Sequence, residues 1–248
     1  MDEKINILVE ILKKSKNTVF FGGAGVSTES GIPDFRSSSG IFNTKLNTHF
    51  SPEELVSHSF FYNNTEDFYE FYKTKLIYPL AKPNDAHISL VKLENLGKLK
   101  AIITQNIDGL HQMAGSKSVF ELHGSILRNY CINCKKFYNE EYILNSKGIP
   151  LCNICSGIIK PDVVLYEESL DNKILKSAIS AISAADTLII GGTSLIVYPA
   201  ASLIEYFHGD NLVLINKTPT PADKRANLVI HDSIGSVLSQ TIDLLIQH

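Results

Sequence analysis

Thr18-Val19-Phe20-Phe21-Gly22-Gly23-Ala24-Gly25 decides the fold. Its first four residues are β-branched or aromatic, types that suit a packed, pleated surface, and the run is too short for a helix. Val19, Phe20 and Phe21 are apolar in succession. That predicts a strand buried on both faces, as in a parallel sheet. The glycines after it end the strand. The same grammar recurs along the chain. Lys100-Ala101-Ile102-Ile103 runs into Thr104-Gln105-Asn106-Ile107-Asp108-Gly109. Val119-Phe120-Glu121-Leu122 runs into His123-Gly124. Asp162-Val163-Val164-Leu165 runs into Tyr166-Glu167-Glu168. Thr187-Leu188-Ile189-Ile190 runs into Gly191-Gly192-Thr193-Ser194, and Leu212-Val213-Leu214-Ile215 into Asn216-Lys217-Thr218.

Between these strands lie longer segments, several with helical spacing. Ile5, Leu8, Val9 and Leu12 mark a helix over 3–14, and Ile234, Val237, Leu238, Ile242 and Leu245 a closing helix over 234–246. Alternating strands and helices predict an α/β fold with a mostly parallel sheet. Polar and glycine-rich residues follow the strands, and in open α/β sheets ligands bind beyond the strands' carboxyl ends. Six separated segments are therefore expected to converge on one crevice. Two stretches break the rhythm: 38–80, with helices expected around 52–58 and 65–77, and 126–157, which holds every cysteine. Together they predict a smaller second module.

The 248 residues suffice for a sizeable core. A net charge of -3 gives no footprint for a polyanion, so direct nucleic-acid binding is not expected. The start, Met1-Asp2-Glu3-Lys4, lacks the basic and apolar regions of a secretory signal. No apolar run reaches the ~20 residues needed to span a bilayer. The expectation is a cytoplasmic protein whose cysteines stay reduced.

Cys131-x2-Cys134 and Cys152-x2-Cys155 are separated by seventeen residues, a spacing suited to two zinc knuckles. Each turn aims two thiolates at one ion, and two turns complete a tetrahedral shell. Two disulfides or a redox pair are the alternatives, disfavoured by a reducing compartment. Four thiolates leave no position for water, so one structural Zn2+ per chain is expected.

Gly22-Gly23-Ala24-Gly25 could let backbone N–H groups approach a pyrophosphate, or could simply be a tight turn. Thr28 stands where the dinucleotide fingerprint would place its third glycine. The next residues are more specific. Gly23-Ala24-Gly25-Val26-Ser27-Thr28-Glu29-Ser30-Gly31-Ile32-Pro33-Asp34-Phe35-Arg36 closely resembles the first signature of the sirtuin family. The resemblance continues through Thr104-Gln105-Asn106-Ile107-Asp108-Gly109-Leu110-His111, Glu121-Leu122-His123-Gly124 and the four cysteines. It returns in Gly192-Thr193-Ser194-Leu195 with Val197 and Pro199-Ala200, and in Leu214-Ile215-Asn216.

The resemblance implies a Rossmann-like NAD-binding domain (1–37, 81–125 and 158–248) and a small domain made of a helical insertion (38–80) and a zinc ribbon (126–157). It implies an NAD-dependent protein-lysine deacylase. The acyl oxygen attacks the ribose carbon bearing nicotinamide, nicotinamide leaves, and O-acyl-ADP-ribose and free lysine result. His123 would be the general base, which suits an imidazole near neutral pH. Asn106 would orient the ribose or a water. Asp108 would accept from the nicotinamide amide, although a helix cap would also explain a carboxylate there. Ile107 would wall the nicotinamide ring. Gly23, Ala24, Gly25, Thr28 and Arg36 would hold phosphates and ribose, Arg36 with a planar charged fork. Phe35 would shield the reacting face. Gln105 would reach the ribose, and Gly192, Thr193, Ser194 and Asn216 the adenosine half, with Ser233 and Ile234 closing over the adenine. The acyl-lysine peptide would add as a strand between 163–168 and 194–198, touching Val164, Tyr166, Glu168 and Val197.

Two departures stand out. The family commonly has Phe-Gly-Glu where this chain has Tyr166-Glu167-Glu168. Relatives that remove succinyl or malonyl groups carry a tyrosine and, three residues on, an arginine. The nearest match is Tyr72 with Lys75 as acyl-pocket residues, and a lysine offers no bidentate fork. Acetyl or longer neutral acyl groups are therefore expected over desuccinylation or demalonylation. Mono-ADP-ribosyl transfer to protein shares nearly all of these residues. A hydride-transferring dehydrogenase is disfavoured by the missing third glycine, and a non-catalytic NAD or ADP-ribose sensor would not need His123, Asn106 and Asp108. The expected state is a monomer.

Overall fold

The computed structural model describes residues 2–35, 40–41 and 50–247. Six strands form one parallel sheet: β1 (Thr18–Gly22), β2 (Leu99–Thr104), β3 (Val119–Glu121), β7 (Thr187–Gly191), β8 (Asn211–Ile215) and β9 (Leu228–Ile230). Their order is β3-β2-β1-β7-β8-β9. The chain builds outward from β1 on one side and then returns to its other side. The reversal leaves a crevice beyond the carboxyl ends of β1 and β7, where Gly22 pairs with Gly191.

Successive strand side chains point to opposite faces, so each strand feeds two cores. On one face Phe20, Ile102, Ile189 and Val213 pack with α1 (Asp2–Lys14), α5 (Asp85–Asn95) and α9 (Ile234–Gln247), through Leu8, Leu12, Leu90, Leu93, Val237 and Ile242. On the other, Val19, Phe21, Ile103, Ile190 and Leu214 meet Ala178 and Ile182 of α8 (Asn172–Ala184).

A third core lies apart from these two. It joins α2 (Pro52–Leu55), α3 (His58–Asn63) and α4 (Thr65–Lys75) to a three-stranded antiparallel sheet, β5-β4-β6, of β4 (Gly124–Cys131), β5 (Phe137–Tyr138) and β6 (Ile159–Val163). Phe61, Phe68, Tyr69 and Tyr72 pack there with Ile126, Cys131, Cys152 and Ile159, so helices and cysteine module share one interior.

The sheet differs from the expected one in two places. The apolar run at 162–165 is no parallel strand: its first two residues end β6, which pairs antiparallel with β4. The sixth parallel strand is instead β9, only three residues long. After β1 the chain makes two 3-10 turns, Ala24–Val26 and Thr28–Ser30.

Beneath the sheet, His87 of α5 and His111 of α6 (Leu110–Ala114) are fully buried with ring centroids 4.7 Å apart. Neither His111 nitrogen has a hydrogen-bond partner among the described residues. Burial pushes His87 down to about 4 and, with its neighbour's charge, His111 down to about 3. Below pH ~6.5 the unfolded chain therefore takes up protons that the folded chain refuses, and stability falls as the pH drops. The loss should approach ~1 kcal/mol per histidine per pH unit between about pH 6 and 5. Melting curves at pH 7 and 5 check this; in His111→Gln the acid loss should shrink.

Candidate active site

The crevice opens into a cleft of about 490 Å³. Its floor is the glycine turn. Gly25 N donates to Gly192 O at 2.8 Å, and a Cβ on Gly25 would lie 2.7 Å from Gly192 Cα. Only glycine lets these two backbones touch. The Ala24 N–H donates to no described residue. The turn therefore suits a pyrophosphate, and NAD as the co-substrate fits this set.

His123 sits between β3 and β4 and lines the cleft. Its Nδ1 lies 2.9 Å from Gln105 O, and a carbonyl can only accept, so in the neutral ring Nδ1 carries the hydrogen. Nε2 is then the free base. Burial pushes the imidazole below the ordinary histidine value, while the Gln105 carbonyl pulls it back up. At pH 7 the ring is neutral and able to take a proton.

The backbone beside it is fixed. Val164 N donates to His123 O at 3.0 Å. Gly124 has φ +74°, and a Cβ there would lie 1.9 Å from the carbonyl oxygen of Asp162. Gly124→Ala should therefore force β4 from β6 and leave little soluble, active protein. Circular dichroism and activity of the purified variant check this; near-normal values of both would contradict it.

Ser27, Asn106 and Asp108 form a second cluster. Asn106 Nδ2 donates to Ser27 Oγ at 3.0 Å, and Ser27 Oγ donates to Asp108 Oδ2 at 2.7 Å. Asp108 Oδ1 accepts from Leu110 N at 2.9 Å, so the carboxylate also caps the start of α6. Burial raises the Asp108 pKa, and its bonds from Ser27 and Leu110 offset part of that rise. Ser27 went unrecognised in the sequence. A serine within a glycine-rich turn carries no mark of a partner 81 residues away.

Gly23, Ala24, Gly25, Phe35, Gln105, Asn106, Ile107, Gly192, Thr193, Ser194 and Asn216 all line the cleft, as do Val164, Tyr166, Glu168, Val197 and Tyr72. Gln105 Nε2 reaches Thr193 Oγ1 at 3.1 Å, joining the two sides of the sheet's switch point. Five candidates are not brought to its surface. Thr28 donates its hydroxyl to Gly25 O at 2.9 Å. Asp108 lies beneath, against Ser27. Ile234 is buried in the first core, near Gly191, and Ser233 precedes it in the chain. Lys75 is half-buried on α4 and is not among the residues that line the cleft. Arg36 lies outside the described residues. The lining also includes Asp34, Leu170 and Tyr198, to which the sequence assigned no individual role. Tyr72 is stacked on Phe68 at 5.5 Å, and its hydroxyl has no partner among the described residues.

The four cysteine sulfurs lie within 4.8 Å of one another. Cys131 and Cys155 Sγ are 3.4 Å apart, and Cys134 and Cys152 Sγ 3.5 Å. Those separations are far beyond a bonded ~2.05 Å S–S pair and near the ~3.8 Å edge of a tetrahedral Zn–thiolate shell. The set fits zinc, and none of the four lines the cleft.

A nucleotide-binding α/β protein with a four-cysteine module is the class that this fold and cleft define. The Sir2 family model matches residues 23–199. An NAD-dependent protein deacetylase of Clostridium perfringens (strain 13 / Type A) is 70% identical over 98% of this chain and 100% of its own length. One of Clostridium tetani (strain Massachusetts / E88) is 60% identical over 99% of each chain. A solved Sir2 structure with p53 peptide and NAD+ superposes with a TM-score of 0.85 at 39% identity, covering 98% of this chain and 99% of that one. The chain belongs to the Sir2 family.

Proposed function

We propose that this protein is an NAD-dependent protein-lysine deacetylase, which moves the acyl group from lysine to ADP-ribose and releases nicotinamide. The observation that carries this is His123: a neutral imidazole, with Nε2 free, in the same cleft as a glycine turn built for a pyrophosphate. Bound NAD supplies the electrophilic ribose carbon and the hydroxyl that receives the acyl group. His123 Nε2 takes the proton from that hydroxyl. Asn106, held by Ser27, orients the ribose. Asp108, fixed by Ser27 and Leu110, accepts from the nicotinamide amide, with Ile107 as a wall. The Ala24 N–H and Gly23–Gly25 backbone hold phosphate with Arg36, and Thr28 braces that turn through Gly25 O. Phe35 excludes water, and Gln105, Gly192, Thr193, Ser194 and Asn216 serve the sugar and adenosine half, with Ile234 packed behind Gly191.

The peptide adds as a strand at 163–168 and 194–198. In support, Val164 O and Glu167 N pair with no described residue, which leaves an edge to extend. Val164, Tyr166, Glu168 and Val197 flank it. For the acyl pocket, Tyr72 offers an aromatic wall and Lys75 has no bidentate fork for a carboxylate, which favours acetyl and other neutral acyl groups over succinyl or malonyl. Zinc ties the cysteine module into the third core, apart from the chemistry. In this account 1–37, 81–125 and 158–248 make the NAD-binding domain, and 38–80 with 126–157 the small one. The protein works as a cytoplasmic monomer that contacts no nucleic acid directly; no described helix is long and apolar enough to cross a membrane. Matched acetyl-, succinyl- and fatty-acyl-lysine peptides, incubated with and without NAD and weighed by mass spectrometry, test the assignment. The acetyl peptide should lose its acyl group only with NAD; no loss from any peptide would overturn it.

A further inference from the structure

We propose that Glu167 is a positioning residue: it fastens the loop 164–168 to the first turn of α3 and so sets how tightly the peptide binds. This rests on the loop being the peptide's docking edge. Glu168 N donates to Leu165 O at 3.0 Å, which closes a four-residue turn with Glu167 at its third position. Glu167 has φ +74° there. A positive φ at that position suits glycine and strains other side chains. Such a backbone persists where the surrounding structure over-determines it.

The Glu167 side chain is engaged by α3. Glu167 Oε2 accepts from Ser59 N at 2.8 Å and from Ser59 Oγ at 2.6 Å. Ser59 is the second residue of α3, where helix N–H groups have no partner within the helix and favour an anion. Backbone bonds add to the join: Tyr166 N donates to Val56 O at 3.0 Å, and His58 N to Tyr166 O at 2.9 Å. Glu168 locks the turn from within, accepting from Leu165 N at 2.9 Å and Lys160 Nζ at 3.0 Å, with His58 Nδ1 at 2.9 Å. One edge of the loop is thereby fixed to the helical segment before any peptide arrives, and the other edge is left open. A site ordered in advance spares the peptide that ordering cost.

The test uses the full zinc-loaded chain, a fluorescent acetyl-lysine peptide and steady-state kinetics. Glu167→Ala keeps the strained backbone and removes both Ser59 bonds. It should weaken peptide binding without NAD, and raise the peptide KM, by roughly tenfold. The kcat and the Kd for NAD should stay within about twofold of wild type. Glu167→Gln keeps an acceptor oxygen for both donors and should restore peptide binding to within about twofold. Ser59→Ala, which loses only the hydroxyl, should fall between them, and it decides the matter if Glu167→Ala does not fold. Unchanged peptide binding in Glu167→Ala or Ser59→Ala overturns the clamp, as does Glu167→Gln as weak as Glu167→Ala. Wild-type protein that neither binds nor deacylates the peptide overturns instead the functional assignment beneath it.

Discussion

His123→Ala should cut deacylation by about 10²- to 10⁴-fold while NAD still binds. The side chain makes one hydrogen bond, to Gln105 O, and the backbone bonds that hold the loop remain when it is trimmed. No hydrogen bond joins it to the glycine turn among the described residues. Loss of a base that acts in the transition state lowers kcat and kcat/KM together and leaves cofactor affinity near wild type. The same residue fixes the acid limb of the pH profile. Burial holds its imidazole below the usual value, so it stays neutral as the pH falls through 6.5 and is protonated only further down. Wild-type kcat/KM should therefore decline at a lower pH than an unperturbed histidine would set. Isothermal titration with NAD, together with a pH series on wild type, checks both halves.

Removing the metal should be the largest blow to stability. Cys131 and Cys152 are buried in the third core, among Phe61, Phe68, Tyr69, Ile143 and Ile159. Without an ion, four thiols would crowd one another beside these aromatic side chains. Bound zinc in small cysteine modules contributes ~10–16 kcal/mol, all of it folding free energy. Here the aromatic core retains part of the structure. Cys131→Ser should lower the melting temperature on the order of 10 °C or more, with the zinc content falling from one per chain to near zero. Activity should vanish with it. Val163, Leu165 and Tyr72 line the cleft and belong to the same core, so a loosened module opens one wall of the site. Metal analysis, melting curves and activity on one preparation make the comparison.

Much of this was legible because it is local. Val19-Phe20-Phe21 and Leu188-Ile189-Ile190 could only be central strands, and each ends in the residues that line the cleft. Cys-x2-Cys turns announce their ligands within four residues. Three features were hidden. In β6, Ile159, Pro161 and Val163 are buried while Lys160 and Asp162 are half-exposed, a two-residue period that a proline in mid-strand disguises. β6 lies on the edge of its sheet, where a proline is tolerated, and so the apolar run after it read as the strand. β9 has only three residues and takes its identity from pairing with β8. Ser27 was missed for another reason: direction. Sequence places Ser27 in a turn, but only the packed fold turns its hydroxyl toward Asp108.

The most direct test follows the ADP-ribose half of NAD. With NAD labelled in that half and an acetyl-lysine peptide, each deacetylated peptide should be matched by one nicotinamide and one soluble acetylated ADP-ribose carrying the label. Label that stays on protein, or nicotinamide released with the peptide still acetylated, would contradict deacetylation and leave transfer or hydrolysis as the activity of this cleft.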